Sequence, residues 1–410
     1  MTSSRAVEAA VRGRRPAEIT ALFSTIGGHD RITYQVCAGR ALEAACHVEV
    51  PAPVEALRRL LCCAAWIEGH ATHLHVVQIP DLLGHANTTE LSEREPLAVN
   101  RGIALHRVGL ELAVAVGEES LRVGGPRRPP EHATLSGLHA RLEDAVNAAV
   151  ETVRWISGFD VPGSLLDIPL LALDDPVPGA SASGRARYPV DGGVVVLVSN
   201  GLGFPLSEFE SFVSRPRSGP LRTSRAALRG SKATLTGPLA RNALCARMLH
   251  PAARSAADHA GLSADERNPY RSALIRAVEL VHALEEAAVL IDGYEAPDPA
   301  PPVPDAGRGR GVAAAESPAG LVYHRFELLP DGTVGSARLI GPEELNRTAL
   351  ELDLRRAERT ALRRDPEIAP SRLAELRAEL THNYDPDAAG PTHIRSNDPD
   401  HASHSARPYR

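Results

Sequence analysis

The sequence predicts a mainly helical α+β protein, in which a bundle of long helices carries a small β-containing part. Three observations predict it. Four long stretches place apolar residues at three-four spacing, two clusters of β-branched residues sit beside Gly-Gly or Pro-Asp-Gly turns, and 43% of the 410 residues are hydrophobic, enough for a large buried core. In chain order, the first helix spans 53–78, with Pro53 in its first turn and Leu57, Leu60, Leu61, Ala64, Ile67 and His70 on one face. A second helix spans 90–117, and a third, 135–156, aligns Leu138, Leu142, Val146, Ala149 and Val153. The region of about 184–240 reads as a β insert led by Val194-Val-Val-Leu-Val198. A fourth helix, 263–291, carries Leu274, Val278, Val281, Leu284 and Val289. Residues 298–311, rich in Pro and ending in Gly-Arg-Gly-Arg-Gly, read as an irregular connection, and 321–340 as a β hairpin around Pro330-Asp-Gly-Thr. One domain over 1–392 and a flexible tail over 393–410 is the expected organisation.

Net charge is −6, so composition gives no reason to expect a nucleic-acid stripe or an anionic-membrane patch. Arg12-Gly-Arg-Arg15 is too short for either and reads as solvated surface. The five cysteines, Cys37, Cys46, Cys62, Cys63 and Cys245, are odd in number and irregularly spaced, which excludes a disulfide framework and fits a reducing cytoplasm. Residues 1–15 lack the apolar core of a signal peptide, and no run approaches a membrane span, so a cytoplasmic location is expected.

Two motifs frame the chain. The first reads Thr25-Ile-Gly-Gly-His-Asp-Arg-Ile-Thr-Tyr34, the second Asp385-Pro-Asp-Ala-Ala-Gly-Pro-Thr-His393. Between them, in order, come Gly39-Arg-Ala-Leu-Glu-Ala-Ala-Cys-His, Trp66-Ile-Glu-Gly-His-Ala-Thr-His73, Pro80-Asp-Leu-Leu-Gly84, Leu235-Thr-Gly-Pro-Leu-Ala-Arg-Asn242 and Glu316-Ser-Pro-Ala-Gly-Leu-Val-Tyr-His324. Together these blocks resemble the large subunit of [NiFe]-hydrogenases, especially the cytoplasmic, cofactor-coupled type. The resemblance begins at about Val11. It implies a large-subunit fold, hydrogen:acceptor oxidoreductase ancestry and pairing with an iron–sulfur small subunit, with further redox subunits beyond it. It also places residues 39–51 and 66–84 near the small-subunit side, where an apolar patch is expected.

In that family the two motifs read Cys-x-x-Cys-x-x-x-His and Asp-Pro-Cys-x-x-Cys-x-x-His, and the four thiolates hold nickel and iron. Here the ligand positions fall on Gly27, Asp30, Asp387 and Gly390, and the histidine positions on Tyr34 and His393. Glycine has no donor and aspartate is a hard oxygen ligand, whereas the cluster needs soft, bridging thiolates. Cys37 lies seven residues past Asp30 in a helix-like stretch and is not positioned to substitute. Where the family has Ala-Pro-Arg-Gly this chain has Ser317-Pro-Ala-Gly320, so Ala319 replaces the arginine over the open metal position. The family's early Arg-x-Glu-Gly strand has no counterpart in the resembling stretch.

The expectation is therefore no [NiFe] cluster, no hydrogenase activity from this chain by itself, and no catalytic residue. Asp30, Tyr34, Ala319, Asp387 and His393 are the candidates to line the pocket between the motifs. Two carboxylates and an imidazole there suit a hard divalent ion or a proton relay, or else each carboxylate pairs with a basic side chain, with Arg31 and Arg325 as the candidates. His70, His73 and His75 read as packing rather than ligands, and the adjacent Cys62 and Cys63 as small buried residues. Three functional classes stay open: a non-catalytic large-subunit-like component of a redox complex, a maturation scaffold, and a reused pocket for a small molecule or quinone-like ligand.

Overall fold

Prolines in the first turn and glycines beyond the last one set most of the helix limits in the computed structural model, which describes residues 4–26, 30–85, 87–174, 187–216, 225–300 and 307–384. Two short helices, α1 (Ser4–Ala10) and α2 (Pro16–Ile26), precede α3 (Arg31–Cys46) and the 21-residue α4 (Ala52–Thr72). Helix α4 runs through a π-helical turn, His73–Gln78, into α5 (Ile79–Leu83), which stops at Gly84 in the left-handed region. The predicted 90–117 helix is two helices, α6 (Thr88–Arg94) and α7 (Pro96–Val116), because Pro96 removes the donor that would continue the ladder. Next come α8 (His132–Ser136) and α9 (His139–Ser157), in place of the single helix predicted over 135–156.

The β part starts earlier than 184. Strand β1 (Leu171–Asp174) pairs antiparallel with β2 (Val195–Val198), which pairs with β3 (Gly203–Pro205). After α10 (Phe209–Phe212), β4 (Val213–Ser214) and β5 (Ala227–Leu228) form a minimal ladder. Helices α11 (Pro238–Cys245) and α12 (Pro251–His259) follow, and α13 (Ser272–Asp292) begins nine residues later than predicted, since Asn268 and Pro269 organise a separate turn ahead of it. The second sheet is a three-stranded meander, not a hairpin: β6 (Gly309–Ser317), β7 (Gly320–Leu328) and β8 (Val334–Ile340). Two helices close the described chain, α14 (Pro342–Arg364) and α15 (Pro370–Asn383), and the tail 393–410 lies outside the described residues.

Helix α4 packs against α7 and α13, and α9 packs against both of these. Helix α3 lies across β6 and β7. That crossing explains why 309–311 belongs to a strand rather than to the irregular connection. Gly309 and Gly311 face the backbone oxygens of Ala45 and Ala41, and any Cβ there would run into the helix, so these glycines serve close approach rather than a loop. The apolar surface also differs from expectation. Within 66–84 Trp66 is fully buried while Val76 is half exposed, and further exposed large apolar side chains lie on α7, at Leu97, Ile103, Leu110 and Val114. No described helix is long and apolar enough to cross a membrane.

Candidate functional site

Helix α14, which the periodicity of the sequence does not reveal, gathers the parts of the site. Its Glu343 carboxylate accepts the Tyr34 hydroxyl at 3.3 Å, its Asn346 amide donates to the Ala319 carbonyl at 3.4 Å, and its Asp353 accepts the Tyr384 hydroxyl at 3.1 Å. These three residues share one side of the helix. One rod thus holds the first motif, the Ser317–Gly320 turn between β6 and β7, and the residue that precedes the second motif. Gly27, Asp387, Gly390 and His393 lie outside the described residues. Asp30 stands just ahead of α3, and burial together with the Glu343 and Asp30 carboxylates pushes the Tyr34 phenol well above its ordinary range. The Glu343 carboxyl is itself pushed up to about 7, by burial and by Glu344.

The basic partners expected for the motif carboxylates are engaged elsewhere. Arg31 pairs with Glu118, and Arg325 with Glu210 at 2.6 Å. Around Ala319 the packing is close. Gly237 (φ +100°) presents its Cα to the Ala319 carbonyl, where a Cβ would approach to 2.5 Å. The cavity bounded by Arg276, Ala319, Asn346 and Tyr384 measures about 10 Å³ among the described residues, room for a single water.

The cation near this turn comes from other helices. Arg241 on α11 donates to Glu279 through Nε and Nη2 (2.6 and 2.9 Å), to Glu316 through Nη1 (3.0 Å), and to the carbonyls of Ser317 and Pro318 (2.9 and 3.1 Å). It lies 4.5 Å from the Trp66 ring centroid, and the Trp66 indole N–H donates to the Glu316 carbonyl. Arg276 adds a second donor to the Pro318 carbonyl, at 3.2 Å. One guanidinium faces two carboxylates here, so their protonation splits. Arg241 holds Glu279 well below the usual range despite its burial, whereas desolvation outweighs Arg241 at Glu316 and pushes it up to about 7. Beside this cluster, Arg59 bridges Asp191 and Glu286, and Arg58 bridges Glu43 and Glu55. Sequence reading misses these residues. A signal exists in α13, where Arg276, Glu279, His282 and Glu286 recur at three-four spacing in an otherwise apolar helix.

The histidines hold structure. Buried His70 lies 3.2 Å from Glu279, His73 contacts the His382 carbonyl, and His75 contacts the Ala71 carbonyl. Burial pulls His70 and His75 down to about 4, so both are neutral at pH 7. With Gln78, which donates to Asn383 at 3.1 Å, the π-helical turn anchors the end of α15 from which the second motif departs. His250, His282 and Glu286 converge as metal donors do. Yet His282 Nδ1 accepts the His250 backbone N–H, which puts the ring proton on Nε2, and Glu286 is already taken by Arg59 and His250. The thiols are no nearer to a metal role. Cys37, Cys62, Cys63 and Cys245 are buried, and burial pushes each thiol far above its ordinary value. Cys37 is turned into the β6–β7 sheet, donating to the carbonyl of Ala313.

The chain matches no protein-family model. Among curated proteins it is similar to the alpha subunit of sulfhydrogenase 1 from Pyrococcus furiosus, 22% identical over 397 residues, which cover 95% of this chain and 90% of that protein. It is 25% identical to a vhu subunit of the F420-non-reducing hydrogenase from Methanocaldococcus jannaschii over 389 residues, 87% of this chain and 90% of that protein. Among solved structures, an NAD+-reducing [NiFe]-hydrogenase in the H2-reduced state superposes with a TM-score of 0.78 at 18% identity, covering 93% of this chain and 89% of that one. The [NiFeSe]-hydrogenase of Dm. baculatum gives 0.66 at 15% identity, over 84% and 83% of the two chains. In sequence the chain is a homologue of the large (alpha) subunits of [NiFe]-hydrogenases, and it has their fold.

Proposed function

We propose that this chain is a non-catalytic large-subunit-like component of a cytoplasmic redox complex, paired with an iron–sulfur small subunit of hydrogenase type. One observation carries the reading. The motif positions that supply thiolates in the family are Gly27, Asp30, Asp387 and Gly390, while all five cysteines of the chain lie elsewhere. This donor set does not fit a nickel–iron cluster, which needs bridging soft anions. Ala319 supports the same conclusion, because the Ser317–Gly320 turn presents a methyl group where the family presents a guanidinium. A maturation scaffold is disfavoured on the same ground, since passing on a metal fragment requires thiolates. Beside Ala319 the described residues leave a gap of only about 10 Å³, which gives a quinone-like ligand at that turn no support.

The partner reading draws on the relatives, each named as one subunit of a hydrogenase, and on the exposed Ile103, Leu110 and Val114, which share one side of α7 and offer an apolar surface to a protein neighbour. Affinity purification of the tagged chain from its native host, followed by elemental analysis and hydrogen-uptake assay, tests both parts. The expected result is a stoichiometric iron–sulfur partner and nickel far below one per chain. About one nickel per chain with cyanide or carbonyl infrared bands would overturn the non-catalytic reading, and a well-behaved monomer with no partner would overturn the pairing.

A further inference from the structure

One stripe of α14 starts in the core and emerges at the surface, and its chemistry changes on the way. Leu345, Ala349, Leu352, Arg356, Arg359 and Arg363 recur at alternating intervals of four and three, so they line one side of the helix. The first two are buried in the core. The three arginines continue this stripe, and they face Leu166 and Ile168 across a cleft of about 370 Å³. That volume is at the lower end for small-molecule sites.

The carboxylates elsewhere on α14 are engaged away from this cleft. Glu351 is bound to Arg225, Glu358 to Arg377 and Glu344 to Arg215. Arg356 donates to the Leu165 carbonyl, and Arg359 to the carbonyl of Arg355 in its own helix. No carboxylate among the described residues forms an ion pair with Arg359 or Arg363. Two acids do line the cleft. Asp353 already accepts the hydroxyls of Tyr384 and Ser164, and Asp167 is exposed opposite the arginines.

We propose that this cleft binds a nucleotide. Arg359 and Arg363 take its phosphates, Asp167 accepts a sugar hydroxyl, and Leu166, Ile168 and Leu352 cover the base. Guanidinium groups are suited to this because their fork matches the oxygens of a phosphate. Both arginines are exposed at their tips, so the attraction is salt-sensitive.

Isothermal titration of the full-length chain with ADP and with inorganic pyrophosphate, at low ionic strength, tests the proposal. ADP should bind saturably at one site, more tightly than pyrophosphate, and Arg359→Ala/Arg363→Ala should weaken it at least tenfold with unchanged helical circular dichroism. Arg225→Ala, which removes the partner of Glu351 on another side of α14, should leave binding as it is. Unchanged ADP binding in the double variant would overturn the site, and equal affinity for the two probes would overturn the base-covering role of the leucines. Binding of neither probe would overturn the proposal.

Discussion

Arg241→Met removes the charge at the centre of the buried cluster while keeping an unbranched side chain of similar length. Arg241 is fully buried, makes two bonds to Glu279 and one to Glu316, and pins the Ser317–Gly320 turn through two carbonyls. Removing one partner of a buried ion pair costs about 3–5 kcal/mol, because the other charge is left desolvated and unpaired. Loss of the cation over Trp66 adds about 1–2 kcal/mol, part of which the Met side chain recovers by packing on the ring. The expected loss is therefore about 4–5 kcal/mol, a large share of a typical folding free energy. Urea unfolding followed by tryptophan fluorescence is the assay, since Trp66 is one of only two tryptophans and lies under the guanidinium. Adding Glu279→Gln removes the stranded charge and should restore about 2 kcal/mol, a coupling within the range seen for contacting residues. The reasoning is refuted if Arg241→Met alone lies within about 1 kcal/mol of the parent, or if the two substitutions add without coupling.

Glu316 gives a pH test. Its folded pKa of about 7 lies above the unfolded value near 4.5, so the native state holds the extra proton, and the stability this confers is complete below pH 4.5 and lost as pH rises through 7. Glu316→Gln should thus gain about 3 kcal/mol on the parent between pH 4.5 and 8, read from paired denaturation curves; parallel curves would contradict it. Gly237→Ala forces a Cβ to within 2.5 Å of the Ala319 carbonyl at φ +100° and should cost about 2–4 kcal/mol, seen as a lower melting midpoint. Asp30→Asn should shift stability by about 1–3 kcal/mol without changing the metal content, and loss of a bound divalent ion in this variant would instead identify a hard-metal site.

The motifs on which the proposed function rests are local: two short stretches whose spacings and residues stand in the sequence itself. The residues that shape the site are not local. Arg241, Glu279 and Glu316 come from α11, α13 and β6, and no sequence window contains all three. Charged residues in a helix ordinarily read as its solvated face. Here Arg58, Arg59, Arg241, Arg276 and Glu279 are buried because each finds a partner from another element, and that pairing is invisible until the chain is folded.

Helix α14 failed to show for a related reason. The stripe that begins with the buried Leu345 and Ala349 turns to exposed arginine farther along, so no sustained apolar period marks the helix. Its start was readable nonetheless, from Gly341, Pro342 at the first position, and Glu343 and Glu344 in the first turn. That start matters to the whole reading. Tyr34, the Ala319 turn and Tyr384 are each tied to α14 by a protein hydrogen bond, so side chains fix the described end of the first motif, the turn, and the residue ahead of the second motif. On the function proposed above, a frame fastened in this way keeps its fold with Gly27, Asp30, Asp387 and Gly390 at the ligand positions, and the chain superposes on a hydrogenase with a TM-score of 0.78.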